Sequence, residues 1–94
     1  MFEKEEENLF KNKVGERIKQ LRTDKKYGLR EFARNAEIEH HQLLKIEKGE
    51  SDIRLLTLMK ISKALKLHPN EILDIDFGID FSEMDPQTVR SVQR

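Results

Sequence analysis

The sequence predicts an all-α domain of five short helices with a short C-terminal β-strand as its tail. Three observations carry that expectation. Apolar residues recur at helical spacing in successive stretches, Gly and Pro punctuate the joins between them, and the period falls to two residues after Leu73. Composition agrees, since 94 residues with 36% apolar and 38% charged content suffice for one small core.

Residues 1–10 form an acidic extension that continues into the first helix, expected over about Leu9 to Lys25 with Phe10, Val14, Ile18 and Leu21 as its inward stripe. Tyr27-Gly28 breaks that helix. The second spans about Leu29 to Ala36 and the third about His40 to Lys48, with Gly49 as its stop. The loop from Gly49 to Asp52 leads into a fourth helix over roughly Arg54 to Lys66. Its inward positions are Leu55, Leu58, Ile61 or Ser62, and Leu65. His68-Pro69 opens a short fifth helix, because Pro is tolerated in a first turn that has spare N–H groups.

The tail, residues 74–94, changes period. Leu73, Ile75, Phe77, Ile79 and Phe81 alternate with Asp74, Asp76, Gly78 and Asp80, the mark of a strand with one apolar face. A lone strand satisfies neither its backbone nor that face. Ile75, Phe77, Ile79 and Phe81 are therefore candidate dimerisation residues, pairing antiparallel with a second copy about a two-fold axis. The alternative is an extended tail lying over its own helices. Asp85-Pro86 could then cap a last short helix carrying Val89 and Val92.

Leu29 to Gly49, LREFARNAEIEHHQLLKIEKG, is the most informative stretch. Phe32, Ala33 and Ala36 fall on the inner side of one helix, and Ala33 is small where two helices should cross. Ile38 follows the turn, and Leu43 and Ile46 recur at a spacing of three. His40, His41, Leu44 and Lys45 are left pointing outward. Two short helices joined this way offer the second to the DNA major groove.

On these residues the segment resembles the helix-turn-helix of the lambda-repressor-like, Cro/CI (XRE) family of DNA-binding domains. VGERIKQLR is similar to that family's first helix, KIEKGES to the end of its recognition helix, LLTLMKISKAL to its fourth helix and HPNEIL to its fifth. The resemblance covers residues 11–73, the expected DNA-binding domain. It implies a five-helix fold. It also implies a Glu47 that pairs with a basic residue inside the domain, Arg17 or Arg34. The chain departs from the pattern in four places. Glu37 stands where the family commonly has Gly, Gly28 and Glu39 where many members have Ser or Thr, and Leu29 where a phosphate-touching Gln is common.

Net charge is zero, but its distribution is uneven. Lys11 to Arg34 holds nine basic residues against three acidic ones, while the start and the region after His68 are acidic. That leaves one basic face between acidic ends. The candidate base contacts are His40, His41, Gln42 and Lys45. Imidazole and Lys suit guanine or phosphate, and Gln suits adenine. Leu44 would rest on a thymine methyl or pack on a neighbour. Arg17, Arg22, Lys26, Arg30, Ser51 and Arg54 are the candidate phosphate contacts. Glu37, Glu39, Glu47 and Glu50 make an acidic rim.

Other classes find little support. Without cysteine there is no disulfide or thiolate metal site. Adjacent His40 and His41 diverge by about 100° around a helix and cannot chelate at i, i+4. No nucleophile–base spacing or Gly-rich phosphate loop suggests an enzyme, so no cofactor and no metal are expected. No apolar run reaches a membrane span or a leader, which points to the cytoplasm. The expected partners are double-stranded DNA carrying a near-palindromic operator and a second copy of the chain. A protein–protein interaction module with weak or no DNA binding is the alternative.

Overall fold

Five helices form in order: α1 (Lys4–Asp24), α2 (Leu29–Asn35), α3 (His40–Glu47), α4 (Leu55–Leu65) and α5 (Pro69–Ile72). The computed structural model describes residues 2–82, and no strand occurs among them. α1 begins earlier than its apolar stripe suggests. The Glu6 carboxylate accepts a hydrogen bond from the Glu3 N–H at 2.9 Å, and Glu5, Glu6 and Glu7 place negative charge at the positive end of the helix.

One core joins all five helices: Ile18 of α1, Phe32 and Ala33 of α2, Leu43 and Ile46 of α3, Leu58, Ile61 and Leu65 of α4, and Ile72 of α5. Val14 and Leu21 pack at its edge as expected. Two expected inward residues do not reach it. Leu55 is 73% exposed, because the first turn of α4 overhangs the core while Thr57, Leu58, Ile61, Ser62 and Leu65 carry the buried face. Phe10 is half-buried outside the core and packs instead on other aromatic rings.

α1 and α3 approach closely at Gly15. A Cβ there would overlap the Ile46 carbonyl oxygen and come within 2.8 Å of the Glu47 carbonyl oxygen. Two helical turns further along α1, the two helices are locked by charge. Arg22 Nε donates to Glu47 Oε2 at 2.7 Å and Nη2 donates to Oε1 at 3.0 Å, a bidentate pair. Arg22 Nη1 donates to the Tyr27 carbonyl at 2.7 Å, so the pair also ties down the turn before α2. Arg22 is 8% exposed and Glu47 6%.

The four longer helices end alike. Lys26, Glu37, Gly49 and Lys66 have φ of 62°, 57°, 75° and 59°, all in the left-handed region. At each end two N–H groups fold back onto the last turn, as in Glu37 N to Arg34 O at 3.0 Å and Ile38 N to Ala33 O at 3.0 Å. Tyr27, Ile38 and Leu67 follow three of these residues and pack against the core. Lys26, rather than Tyr27-Gly28, therefore terminates α1, and Gly28 is the N-cap of α2 with φ −70°. Gly49 is required, since a Cβ on it would also strike Asn12.

The tail keeps the expected alternation of exposure and forms no ladder with another segment of the described chain. Ile75, Phe77 and Ile79 are half-buried between exposed Asp74, Asp76, Gly78 and Asp80. The aspartates compete for the backbone: Asp76 accepts from Gly78 N and Asp80 from Ser82 N, each at 2.9 Å. The Ser82 bonds also hold the Asp80 carboxyl below its usual pKa. The apolar side turns onto α1 of the same chain, with the Phe77 and Phe81 rings 5.5 and 5.8 Å from Phe10. Of the two alternatives for Phe77 and Phe81, the fold-back is the one seen within the chain. The helix expected after Asp85-Pro86, with Val89 and Val92, lies outside the described residues.

Two stability predictions follow from these contacts. Glu37→Gly is expected to stabilise the protein by about 0.5–1 kcal/mol in urea unfolding, while Gly49→Ala costs about 2 kcal/mol or more. A neutral result at both positions would contradict this account of the helix ends. Arg22→Met or Glu47→Leu alone should each cost roughly 3–5 kcal/mol, because the partner is left as an unpaired buried charge. The double variant should cost far less than the sum, and strict additivity would show that the two are not coupled.

Candidate nucleic-acid interface

The core-facing side of α3 is fixed by Leu43, Ile46 and Glu47, all buried. At 3.6 residues per turn the opposite side is centred on His41, Lys45 and Lys48, and all three are exposed. His40, Gln42 and Leu44 flank them and are half-buried. The His40 and His41 rings lie 4.1 Å apart, tilted by 37°, and form a paired polar plate at the start of the helix. The four expected base contacts thus share α3, with His41 and Lys45 at the centre of its exposed face and His40 and Gln42 at its edges.

The α2 side adds cations. Arg30 and Arg34, both exposed, line a shallow groove with Ala33, Ile38, Glu39 and His40. Arg34 was not among the expected phosphate contacts, although it lies one turn after Arg30 on the same helix face. Lys48, three residues after Lys45, was likewise missed, and the same helical spacing would have found it. Lys26 and Arg54 are exposed as expected, Arg54 at the N-cap of α4. Ser51 is half-buried, its hydroxyl donating to the Asp52 carbonyl at 3.4 Å.

Two expected phosphate contacts are engaged elsewhere. Arg22 faces inward, buried, with three of its five N–H donors committed to Glu47 and Tyr27, so it does not present its charge to a phosphate at the surface. It is also the partner that sequence reasoning sought for Glu47 in Arg17 or Arg34. Arg17 is half-buried and its Nη2 donates to the Glu71 carbonyl at 2.7 Å, joining α1 to the end of α5. Its Nε is buried without a hydrogen-bond partner.

The acidic rim is also reduced. Glu47 is neutralised in the interior, and Glu37, Glu39 and Glu50 remain exposed. Glu39 is the N-cap of α3, but its side chain makes no capping hydrogen bond. No group of acidic or histidine side chains able to hold a metal occurs among the described residues. No helix among them is long and apolar enough to cross a membrane.

Known proteins share this arrangement. A family model described as a helix-turn-helix domain matches residues 15–74. The chain is similar to the restriction-modification controller protein C.AhdI from Aeromonas hydrophila, with 26% identity and a TM-score of 0.64 over 65% of this chain and 92% of that one. It is also similar to an HTH_3 family transcriptional regulator from Vibrio cholerae, with 26% identity and a TM-score of 0.72 over 88% of this chain but only 47% of that one. A structure of the SinR protein/SinI protein complex matches at 28% identity and a TM-score of 0.64, over 85% of this chain and 75% of that one. No curated protein gives a significant match. The fold, the turn between α2 and α3 and the family match agree: the chain belongs to the helix-turn-helix domain family and is of the lambda-repressor-like Cro/CI (XRE) type.

Proposed function

We propose that this chain is a sequence-specific, DNA-binding transcriptional regulator that acts as a homodimer in the cytoplasm. The observation that carries the proposal is the two-sidedness of α3. One side is fixed in the core, and the other offers His41 and Lys45 to solvent beside the Arg30–Arg34 groove. Residues 11–73 form the DNA-binding unit. α3 enters the major groove, with His40, His41, Gln42 and Lys45 at base edges. Arg30, Arg34, Lys26, Arg54 and Ser51 lie along the backbone. A two-fold dimer sets two such helices about 34 Å apart and calls for a near-palindromic operator. Similarity to a controller protein and to a transcriptional regulator supports this reading.

A second reading has its own observation. Glu37, Glu39 and Glu50 stay exposed around α3, and half-buried Leu44 gives that helix an apolar spot. These features suit a protein partner, and one similar structure is a complex of two proteins.

Selection of genomic fragments by the purified chain at moderate salt distinguishes the two. The first reading expects a near-palindromic motif that a His41→Ala, Lys45→Ala variant loses, with affinity down by roughly tenfold or more. Each phosphate engaged should add about 0.9 to the negative slope of log K against log salt. If wild type recovers nothing above background, the DNA reading fails and the protein-partner reading takes its place.

A further inference from the structure

His40 and His41 open α3 side by side, with ring centroids 4.1 Å apart and planes tilted by 37°. His41 is exposed and His40 half-buried. Imidazole is the side chain whose charge ordinarily changes between about pH 5 and 8. Its hydrogen bonding changes with its charge. The neutral ring has one donor and one acceptor, whereas imidazolium has two donors and no acceptor. The groups a duplex would bring to the front of α3 include many that only accept. Phosphate oxygens are of this kind, and so are N7 and O6 of guanine in the major groove.

We infer that the His40–His41 pair couples DNA binding to protonation, so that the chain takes up a proton on this pair as it binds and holds DNA more tightly as pH falls. The inference rests on the DNA reading above and adds a regulation to that same surface. In the free chain the charges that face the pair oppose one another. Arg30 and Arg34 of α2 line the groove that His40 shares with Glu39, and Lys45 follows His41 by about one turn on the exposed face. Glu39 spends no hydrogen bond on capping α3. α1 packs on the other end of α3, around Ile46 and Glu47, and its buried cation there, Arg22, is already paired with Glu47. A duplex adds charge of one sign only. Its phosphates favour imidazolium, so the complex holds more protons than the separate partners do. By linkage, affinity then rises as pH falls, and it levels off once the free pair is itself protonated. Two imidazolium charges this close repel each other, so the pair takes up one proton more readily than two. One proton corresponds to a gain in affinity of up to about tenfold per pH unit.

Fluorescence anisotropy of the full chain with a duplex carrying the selected motif, at fixed ionic strength from about pH 8 to pH 6, tests the inference. Wild-type affinity is expected to rise by about tenfold or more across that range, with an unchanged helical circular dichroism spectrum. A His40→Gln, His41→Gln variant keeps polar side chains but no titrating ring, and its profile should be flat. The third histidine is the control. His68 Nδ1 accepts from the Asn70 N–H at 3.1 Å as the N-cap of α5, so protonation there would act through the fold. His68→Asn keeps a capping acceptor and should leave the wild-type slope unchanged. Calorimetry of the wild-type complex in two buffers of different ionisation enthalpy counts the protons directly, even where the double variant binds too weakly to measure. Uptake of about one proton per chain is expected. A flat wild-type profile, a slope that survives in the double variant or vanishes with His68→Asn, or binding without proton uptake would overturn the inference. Firm binding with no pH dependence sinks only this inference, whereas no binding at any pH sinks the DNA reading and takes the inference with it.

Discussion

Two opposite charges buried between α1 and α3 hold the rest of the molecule in place. Arg22 meets Glu47 through two short hydrogen bonds and gives its third to the Tyr27 carbonyl. One guanidinium thereby connects the body of α1, the turn before α2, and the last turn of α3. Glu47 lies on the side of α3 opposite Lys45. Fixing it sets the rotation of α3 about its own axis, and that rotation decides which side chains face outward. A buried pair of this kind contributes little net stability over an apolar one, but either charge alone is costly to leave unpaired. Its physical effect is to define one pose for α3.

That pose is made tighter by what is missing from side chains. Gly15 lets the α1 backbone rest against the Ile46 and Glu47 carbonyls. Gly49 closes α3 in the left-handed region against Asn12. The front of α3 is looser: Glu39 provides no capping hydrogen bond, and the turn before it depends on Glu37 with positive φ. Stability is thus concentrated at the back and C-terminal end of the helix, while its exposed N-terminal turn carries the histidine pair.

The helical parts of the fold were legible because their signals are local. The spacing of Phe32, Ala33, Leu43 and Ile46 and the stop at Gly49 suffice for α2 and α3, and both helices lie within one residue of expectation. Other features depended on long-range contacts. Arg22 reads as one more surface cation until α3 is packed against it, and only the tertiary pairing removes it from the phosphate candidates. Leu55 fits the inward stripe of α4 by period, yet among the described residues nothing covers its side of the first turn. The tail alternates like a strand, but its aspartates bond their own backbone and its phenylalanines find Phe10. Gly15, an isolated glycine in a helical pattern, did carry a local hint of close packing. For the candidate site, the spacing of Leu43 and Ile46 already turned His40, His41 and Lys45 away from the core, and none of the three is buried.

The most direct measurement of the central claim, that the outward side of α3 is the reading surface, is an amide chemical-shift map of the labelled full chain. The chain would be titrated with a duplex carrying the selected motif. The account predicts that the largest changes fall on His41, Lys45 and their neighbours in α3, with a second set at Arg30 and Arg34, and little change at buried Arg22. Changes confined to the tail and α4, or an undisturbed α3 at saturating DNA, would contradict it.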